Sequence, residues 1–144
     1  MRSGGFTLLE LLLSIGVIGI LTALSVPVWS RMIGPNDLIV AASETMASID
    51  RAEVLSQAVT GDSTWGVKIQ SGSVTLFQGA TYATRSTGFD ETYTLPSTIT
   101  ASGVGEIVFA KVTGLPGTTG TITLTGLNGE ARSLTINAKG TVDY

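Results

Sequence analysis

A long stretch near the start of the chain contains no charged residue. From Leu11 to Ser30 every side chain is uncharged, and Leu, Ile and Val dominate. As an α-helix these residues extend about 30 Å, which matches the hydrocarbon core of a bilayer. One acid, Glu10, lies at the start of the stretch, where a charge is costly and usually has a partner. The sequence therefore predicts a membrane-spanning helix with a single acid at its N-terminal end.

The residues before this stretch carry a specific pattern. The short basic leader Met1-Arg2-Ser3-Gly4-Gly5 is followed by Phe6-Thr7-Leu8-Leu9-Glu10. A glycine before an aromatic residue, a glutamate four residues after it and an apolar helix together resemble the class III signal of type IV prepilins and pseudopilins. The resemblance covers residues 1–35.

The resemblance implies a processing reaction and an assembly contact. A membrane prepilin peptidase would cut between Gly5 and Phe6 and then N-methylate Phe6. Glu10 would pair with the N-terminal amine of a neighbouring subunit in a filament. Pro27 lies where such helices carry a proline, and a helical proline removes a backbone donor and produces a kink.

Two other interpretations of the N-terminus stay open. An ordinary secretory signal would use Ala23-Leu24-Ser25 as a loose cleavage site, but this leaves Glu10 unexplained. A plain single-span anchor would place Glu10 near the interface, where an acid can reach water.

The rest of the chain divides by its periodicity. We expect a leader at 1–5, a transmembrane and filament-core helix at 6–33, an amphipathic helix at 34–61 and an antiparallel β head at 62–144. The apolar positions between residues 38 and 60 recur every three or four residues, and Gly61 is a natural helix stop. Whether Gly34-Pro35 breaks the helix stays open at this point.

Alternating residues predict the strands of the head. Residues 65–69 and 73–77 form one expected hairpin, and residues 121–125 and 133–137 form another around Asn128-Gly129. A further strand is expected at 106–110. Four apolar residues of the second hairpin should share one face of an antiparallel sheet that the amphipathic helix covers: Ile122, Leu124, Leu134 and Ile136.

The composition limits the chemistry of the head. The chain has no Cys and no His, so we expect no disulfide, no metal, no cofactor and no catalytic triad. Asp90-Glu91 is the only acidic pair of the head, and we expect it in a solvated loop. From Asp62 onward five basic and six acidic residues give a net charge of −1, which does not favour nucleic-acid binding.

Together these patterns predict an α+β, pilin-like chain whose antiparallel β head packs on the C-terminal half of a long N-terminal helix. The ending Leu134-Thr135-Ile136-Asn137, followed by Gly140 and Val142, is similar to minor pseudopilins of the type II secretion H class. We expect a pilus or pseudopilus subunit, not an enzyme. It would reside in the inner membrane with its head outside and then enter an extracytoplasmic filament. Its expected partners are prepilin peptidase, other pilin subunits, an assembly platform and membrane lipid. The alternative is a membrane-anchored binding domain that does not polymerise.

Overall fold

The computed structural model describes residues 7–144, and for residues 24–35 it describes the backbone and not the side chains. The chain divides into two compact units at Gly34. We call residues 7–33 the N-terminal segment and residues 34–144 the head. One helix, α1 (Leu8–Gln57), supplies residues to both units. Its helical backbone includes Pro27 and Gly34-Pro35, while the side chain of Pro27 lies outside the described part.

The buried stripe of α1 in the head follows the predicted helical spacing. Leu38 and Ile49 are its two large apolar members, and the remaining buried positions carry small side chains. Small side chains let the helix backbone approach the strands closely, so the large side chains of the strands fill the interface. The small buried residues are Ala41, Ala42, Thr45, Ser48, Ala52 and Ser56.

Helix α1 ends at Gln57 and not at Gly61, where the sequence predicted its stop. The carbonyl of Ser56 accepts a hydrogen bond from the Val112 N–H at 3.0 Å. The Ser56 hydroxyl accepts a second one from the Trp65 N–H at 2.9 Å. Two distant segments thus satisfy polar groups of the last turn, and Gly61 lies in a 3₁₀ turn at Thr60–Asp62.

Eight strands form two antiparallel sheets instead of the single sheet expected from sequence. The first sheet has the order β3-β2-β1-β5 and the second has the order β4-β6-β7-β8. The strands are β1 (Trp65–Gln70), β2 (Ser73–Gln78), β3 (Glu91–Thr94), β4 (Thr100–Gly103), β5 (Glu106–Phe109), β6 (Gly120–Thr125), β7 (Ala131–Ile136) and β8 (Val142–Asp143).

A tight backbone approach at Gly103 lets the chain pass from one sheet to the other. Gly103 has a φ of 87°, and a Cβ there would lie 2.2 Å from the carbonyl oxygen of Thr121. Only glycine fits both the dihedral angle and the space. Residues Val104 and Gly105 then lead into β5 of the first sheet, so this short link joins the two sheets.

Both predicted hairpins are confirmed, with strand ends that differ by one or two residues. Strands β1 and β2 pair from Trp65↔Gln78 to Gln70↔Ser73. In the second hairpin Ile122 pairs with Leu134, and Gly129 takes a φ of 77° at the tip. All four apolar residues expected on one face of β6 and β7 are buried in the core.

A loop covers the face of the first sheet that points away from the core cluster. Phe77 is fully buried but does not belong to that cluster. Its ring meets Tyr82 edge to face, with centroids 5.5 Å apart. Arg85 stacks 3.7 Å from the Tyr82 ring centroid and pairs with Asp90 at 2.8 Å. The polar loop is thereby fixed over an aromatic side chain.

A second ion pair ties α1 to the edge strand β3. The Arg51 guanidinium lies 2.7 Å from the Glu91 carboxylate, whose other oxygen accepts a hydrogen bond from the Tyr93 hydroxyl at 3.0 Å. The expectation of a solvated Asp90-Glu91 pair is therefore wrong. Each acid has its own basic partner, and Asp90 is largely covered, with an 18% exposed side chain.

Replacing Gly66 with Ala should destabilise the head by about 1–3 kcal/mol, because overpacking strains the neighbours. A Cβ at Gly66 would lie 2.7 Å from both the Ile107 carbonyl oxygen and the Phe77 ring. Thermal unfolding of the full chain, followed by tryptophan fluorescence, measures the loss. Gly88→Ala is the matched control, because nothing lies within 4 Å of its added Cβ. Equal melting temperatures for the two variants would contradict this packing.

Tyr93 should titrate at a higher pH than an ordinary tyrosine. Its hydrogen bond to Glu91, followed by burial, raises the pKa of Tyr93 above 10.0. The hydrogen bond between Tyr93 and Glu91 therefore stabilises the folded head fully below about pH 10. This stabilisation is lost as the pH rises through the raised pKa of Tyr93. Tyrosinate absorbance during an alkaline titration measures the pKa of Tyr93. The Tyr93→Phe variant identifies the titration curve of Tyr93 among those of the three tyrosines. Glu91→Gln should move the Tyr93 pKa back toward 10, and an unchanged curve would count against the contact.

Candidate functional site

The N-terminal segment exposes apolar side chains on all sides of its helix. Every described side chain from Thr7 to Ala23 is exposed. Burying one large apolar side chain stabilises by about 1.5–3 kcal/mol, so leaving this set in water is strongly unfavourable. A helix that is apolar on all sides belongs in lipid or in a bundle. The large members are Leu8, Leu9, Leu11, Leu12, Leu13, Ile15, Val17, Ile18, Ile20 and Leu21.

Thr7 starts this helix as its N-cap. The Thr7 hydroxyl accepts a hydrogen bond from the Glu10 N–H at 3.3 Å, and the Thr7 carbonyl accepts from the N–H groups of Glu10 and Leu11, both at 3.1 Å. Thr7-Leu8-Leu9-Glu10 has the spacing of a capping box, a local signal from which this role could have been predicted. The cap fixes the first helical turn immediately after the expected processing point.

Glu10 is the only charged residue between Thr7 and Ala23. It lies in the first turn of α1, where the helix dipole favours a negative charge by about 0.3–1 kcal/mol. Its side chain is exposed, and the ion pairs of the described residues do not include it. The carboxylate is therefore presented on an apolar helix, open to an external cation.

The hydroxyl groups of Ser14 and Thr22 bond within the helix. Ser14 donates to the Glu10 carbonyl at 2.7 Å, and Thr22 donates to the Ile18 carbonyl at 2.6 Å. Such back-bonding lets a hydroxyl enter an apolar environment without an outside partner. Glu10 thus differs from the other polar side chains here, because a carboxylate has no proton to donate to the backbone.

The bond between Gly5 and Phe6, the site of the expected cleavage and methylation, lies outside the described residues. So does the side chain of Pro27, the expected kink. Of the predicted processing and assembly residues, the structure therefore describes the side chain of Glu10.

Ion pairs join several segments of the head. Within the described part of the chain, no three His, Cys, Asp or Glu residues come together as a metal-binding group. Lys111 lies 2.7 Å from Asp62 and lowers the pKa of that carboxyl. Lys68 lies 3.4 Å from Glu106, which also accepts the Tyr82 N–H at 2.9 Å. Trp65, expected in the core or at its edge, is 5% exposed.

The family model of the prokaryotic N-terminal methylation motif matches residues 1–26. This is the signal of type IV pilins and pseudopilins, and it confirms the resemblance seen in residues 1–35. No curated protein and no solved structure matches the chain. The similarity of the head to the H class of minor pseudopilins stays a prediction.

The motif indicates what kind of precursor this chain is. It supports a type IV pilin-like or pseudopilin precursor and points to a structural subunit rather than an enzyme. It implies processing by prepilin peptidase and assembly with other pilin subunits. It is typical of precursors anchored in the inner membrane. Among the residues described by the structure, no helix is long and apolar enough to cross a membrane.

Proposed function

We propose that this chain is a subunit of a type IV pilus-like or type II secretion pseudopilus filament, cleaved after Gly5 and assembled through its N-terminal helix. One observation carries the proposal. Residues 7–23, which lie within the methylation motif, expose apolar side chains on all sides of the helix and carry one carboxylate, that of Glu10. Such a surface needs lipid before assembly, and in a filament it needs the same helix of neighbouring subunits.

In this proposal the precursor waits in the inner membrane as a single-pass protein. Arg2 stays on the cytoplasmic side, as positive charges near a span do, and the head lies outside. Gly4-Gly5 resists helix formation, so the bond before Phe6 stays accessible to prepilin peptidase. An inner-membrane assembly platform then moves the cleaved subunit from lipid into the filament.

Glu10 sets the position of the incoming helix. Cleavage creates a positive amine at Phe6, and Glu10 lies one helical turn beyond it. In an apolar filament core neither charge can reach water, so each is stabilised by the other across two subunits. The contact joins different surfaces of the two chains. It therefore repeats without closing, as a fibre requires.

The mature chain should begin at Phe6 and carry one methyl group on its amine. The match to the methylation motif at residues 1–26 supports processing at this end of the chain, and Gly5 precedes an aromatic residue. Intact mass of protein from cells with an active prepilin peptidase measures both changes. A terminus near Ser25 would indicate an ordinary secretory signal. A retained Met1 would indicate a plain anchor.

Replacing Glu10 with Leu or Gln should sharply reduce incorporation into filaments. Removing one partner of a buried ion pair costs about 3–5 kcal/mol, which corresponds to at least a roughly hundredfold loss at ten-fold per 1.4 kcal/mol. Precursor levels and cleavage should be nearly unchanged, because Gly5 and Phe6 are untouched. Co-purification of each variant with partner pilins measures incorporation.

Ser14→Leu is the matched control for Glu10→Leu. Ser14 lies one helical turn beyond Glu10 and is also exposed, so the substitution adds the same apolar side chain without removing a charge. It should assemble normally. If Glu10→Leu also assembles normally, the pairing mechanism is wrong, and a membrane-anchored domain that does not polymerise becomes the better interpretation.

A further inference from the structure

Strand pairing along the outer edge of β7 covers only part of that strand. Strand β8 pairs with β7 at Thr135 and Ile136, and no strand of the described part of the chain pairs with this edge at residues 131–133. We call residues 131–133 the open edge. Backbone groups along such an edge can pair with the backbone of another chain.

The odd-numbered residues of β7 direct their backbone groups away from β6. The Gly126 N–H donates to the Glu130 carbonyl at 2.8 Å, so Glu130 bonds toward β6, and this direction alternates along an antiparallel strand. On the other side of the strand, the Asn137 N–H donates to the Thr141 carbonyl at 3.1 Å. The open edge therefore presents the N–H and C=O groups of its first and last residues to an added strand.

An open cleft lies beside the open edge. Its volume is about 530 Å³, and it is lined by Leu38, residues 130–133 and Tyr144. A strand added to β7 would lie about 4.8 Å from it and would enter this space. The corresponding edge of β5 in the first sheet is occupied instead, since the Gly117 N–H donates to the Val108 carbonyl at 2.8 Å.

Two opposite charges flank the centre of the open edge. Glu130 is exposed and Arg132 is half-buried. Both lie on the face of β7 that carries the buried Leu134 and Ile136, because side chains alternate between the two faces of a strand. The Arg132 guanidinium donates to the neutral hydroxyl of Tyr144, and the ion pairs of the described residues include neither Glu130 nor Arg132.

We propose that the open edge binds a second copy of this chain, whose β7 adds antiparallel to the first across a two-fold axis. Ala131 then faces Ala131 of the second copy, and the two residues exchange both backbone hydrogen bonds. In this register Glu130 of each copy lies opposite Arg132 of the other. The two neighbouring registers that keep the same hydrogen-bond pattern place Arg132 against Arg132 or Glu130 against Glu130, which is unfavourable.

The same register brings exposed apolar side chains of the two copies together. Tyr144 follows Asp143, which pairs with Thr135, so Tyr144 lies at the end of the open edge. The turn at residues 126–129 of the second copy would meet it there. Leu127 in that turn is 80% exposed and Tyr144 is 61% exposed, so their contact adds apolar burial. The surface is small, and we expect a weak dimer that salt weakens further.

The absence of cysteine from the sequence allows a direct test by disulfide trapping. In the proposed register the two Cα atoms at position 131 lie about 5.5 Å apart, within the range of a disulfide. The full chain with Ala131→Cys is purified in detergent, which covers the N-terminal segment, and is oxidised with copper–phenanthroline. Ala138→Cys is the matched control, because Ala138 is also exposed and lies in the turn between β7 and β8.

The disulfide-linked dimer should form roughly tenfold faster at position 131 than at position 138, because only the first pair of thiols is held within bonding distance. Adding Glu130→Lys to Ala131→Cys should reduce the rate to that of the control, since like charges then face each other twice. Arg132→Glu should do the same. The double reversal restores both ion pairs and should restore the rate. Glu130→Lys alone suffices if Arg132→Glu lowers the melting temperature.

Three results would overturn the proposal. The first is an equal rate at positions 131 and 138. The second is a rate at 131 that Glu130→Lys leaves unchanged, or that the double reversal fails to restore in folded protein. The third concerns the N-terminal segment: trapping that disappears with Glu10→Leu would assign the association to that segment. Because the open edge lies wholly within the head, trapping should be normal in Glu10→Leu, whatever that variant does to filament assembly.

Discussion

The dominant constraint on this protein is the apolar helix surface of residues 7–23, where every described side chain is exposed. The helix itself satisfies the backbone of residues 8–23, and Ser14 and Thr22 return their hydroxyls to it. What is left is a surface of leucine, isoleucine and valine that water disfavours on every side. The stability of this exposed apolar segment therefore depends on what surrounds it. Glu10 matters because it is the one group there that the helix cannot satisfy.

In the head, the same helix packs against the strands through a stripe of mostly small side chains. Small residues on α1 allow close approach, and the large side chains come from both sheets. Ser56 then accepts hydrogen bonds from Trp65 and Val112, so the end of the helix is held by the first residue of β1 and by the loop that follows β5. Arg51 adds a tie to the edge strand through Glu91. These contacts make the head a single core around one helix, with its polar loops fixed by ion pairs.

The surface of the head divides into fixed polar regions and a small apolar one. Around Tyr82 the loop is held by hydrogen bonds of Arg85, Asp90 and Glu106. Leu127 and Tyr144, by contrast, are exposed apolar side chains of the head.

The sequence by itself determined the N-terminal helix, both hairpins and the buried stripe of α1, because each follows from spacing over a few residues. It also determined the processing signal, whose residues are neighbours in the chain. Only the tertiary structure decided that the strands form two sheets, that Phe77 is buried away from the main core, and that Asp90 and Glu91 pair with Arg85 and Arg51. Those outcomes depend on which distant side chains meet, and on a close approach at Gly103 that no local pattern reveals. The cap at Thr7 combines both sources of information. The sequence shows the spacing of a capping box, and the structure shows the hydrogen bond from the Glu10 N–H to the Thr7 hydroxyl.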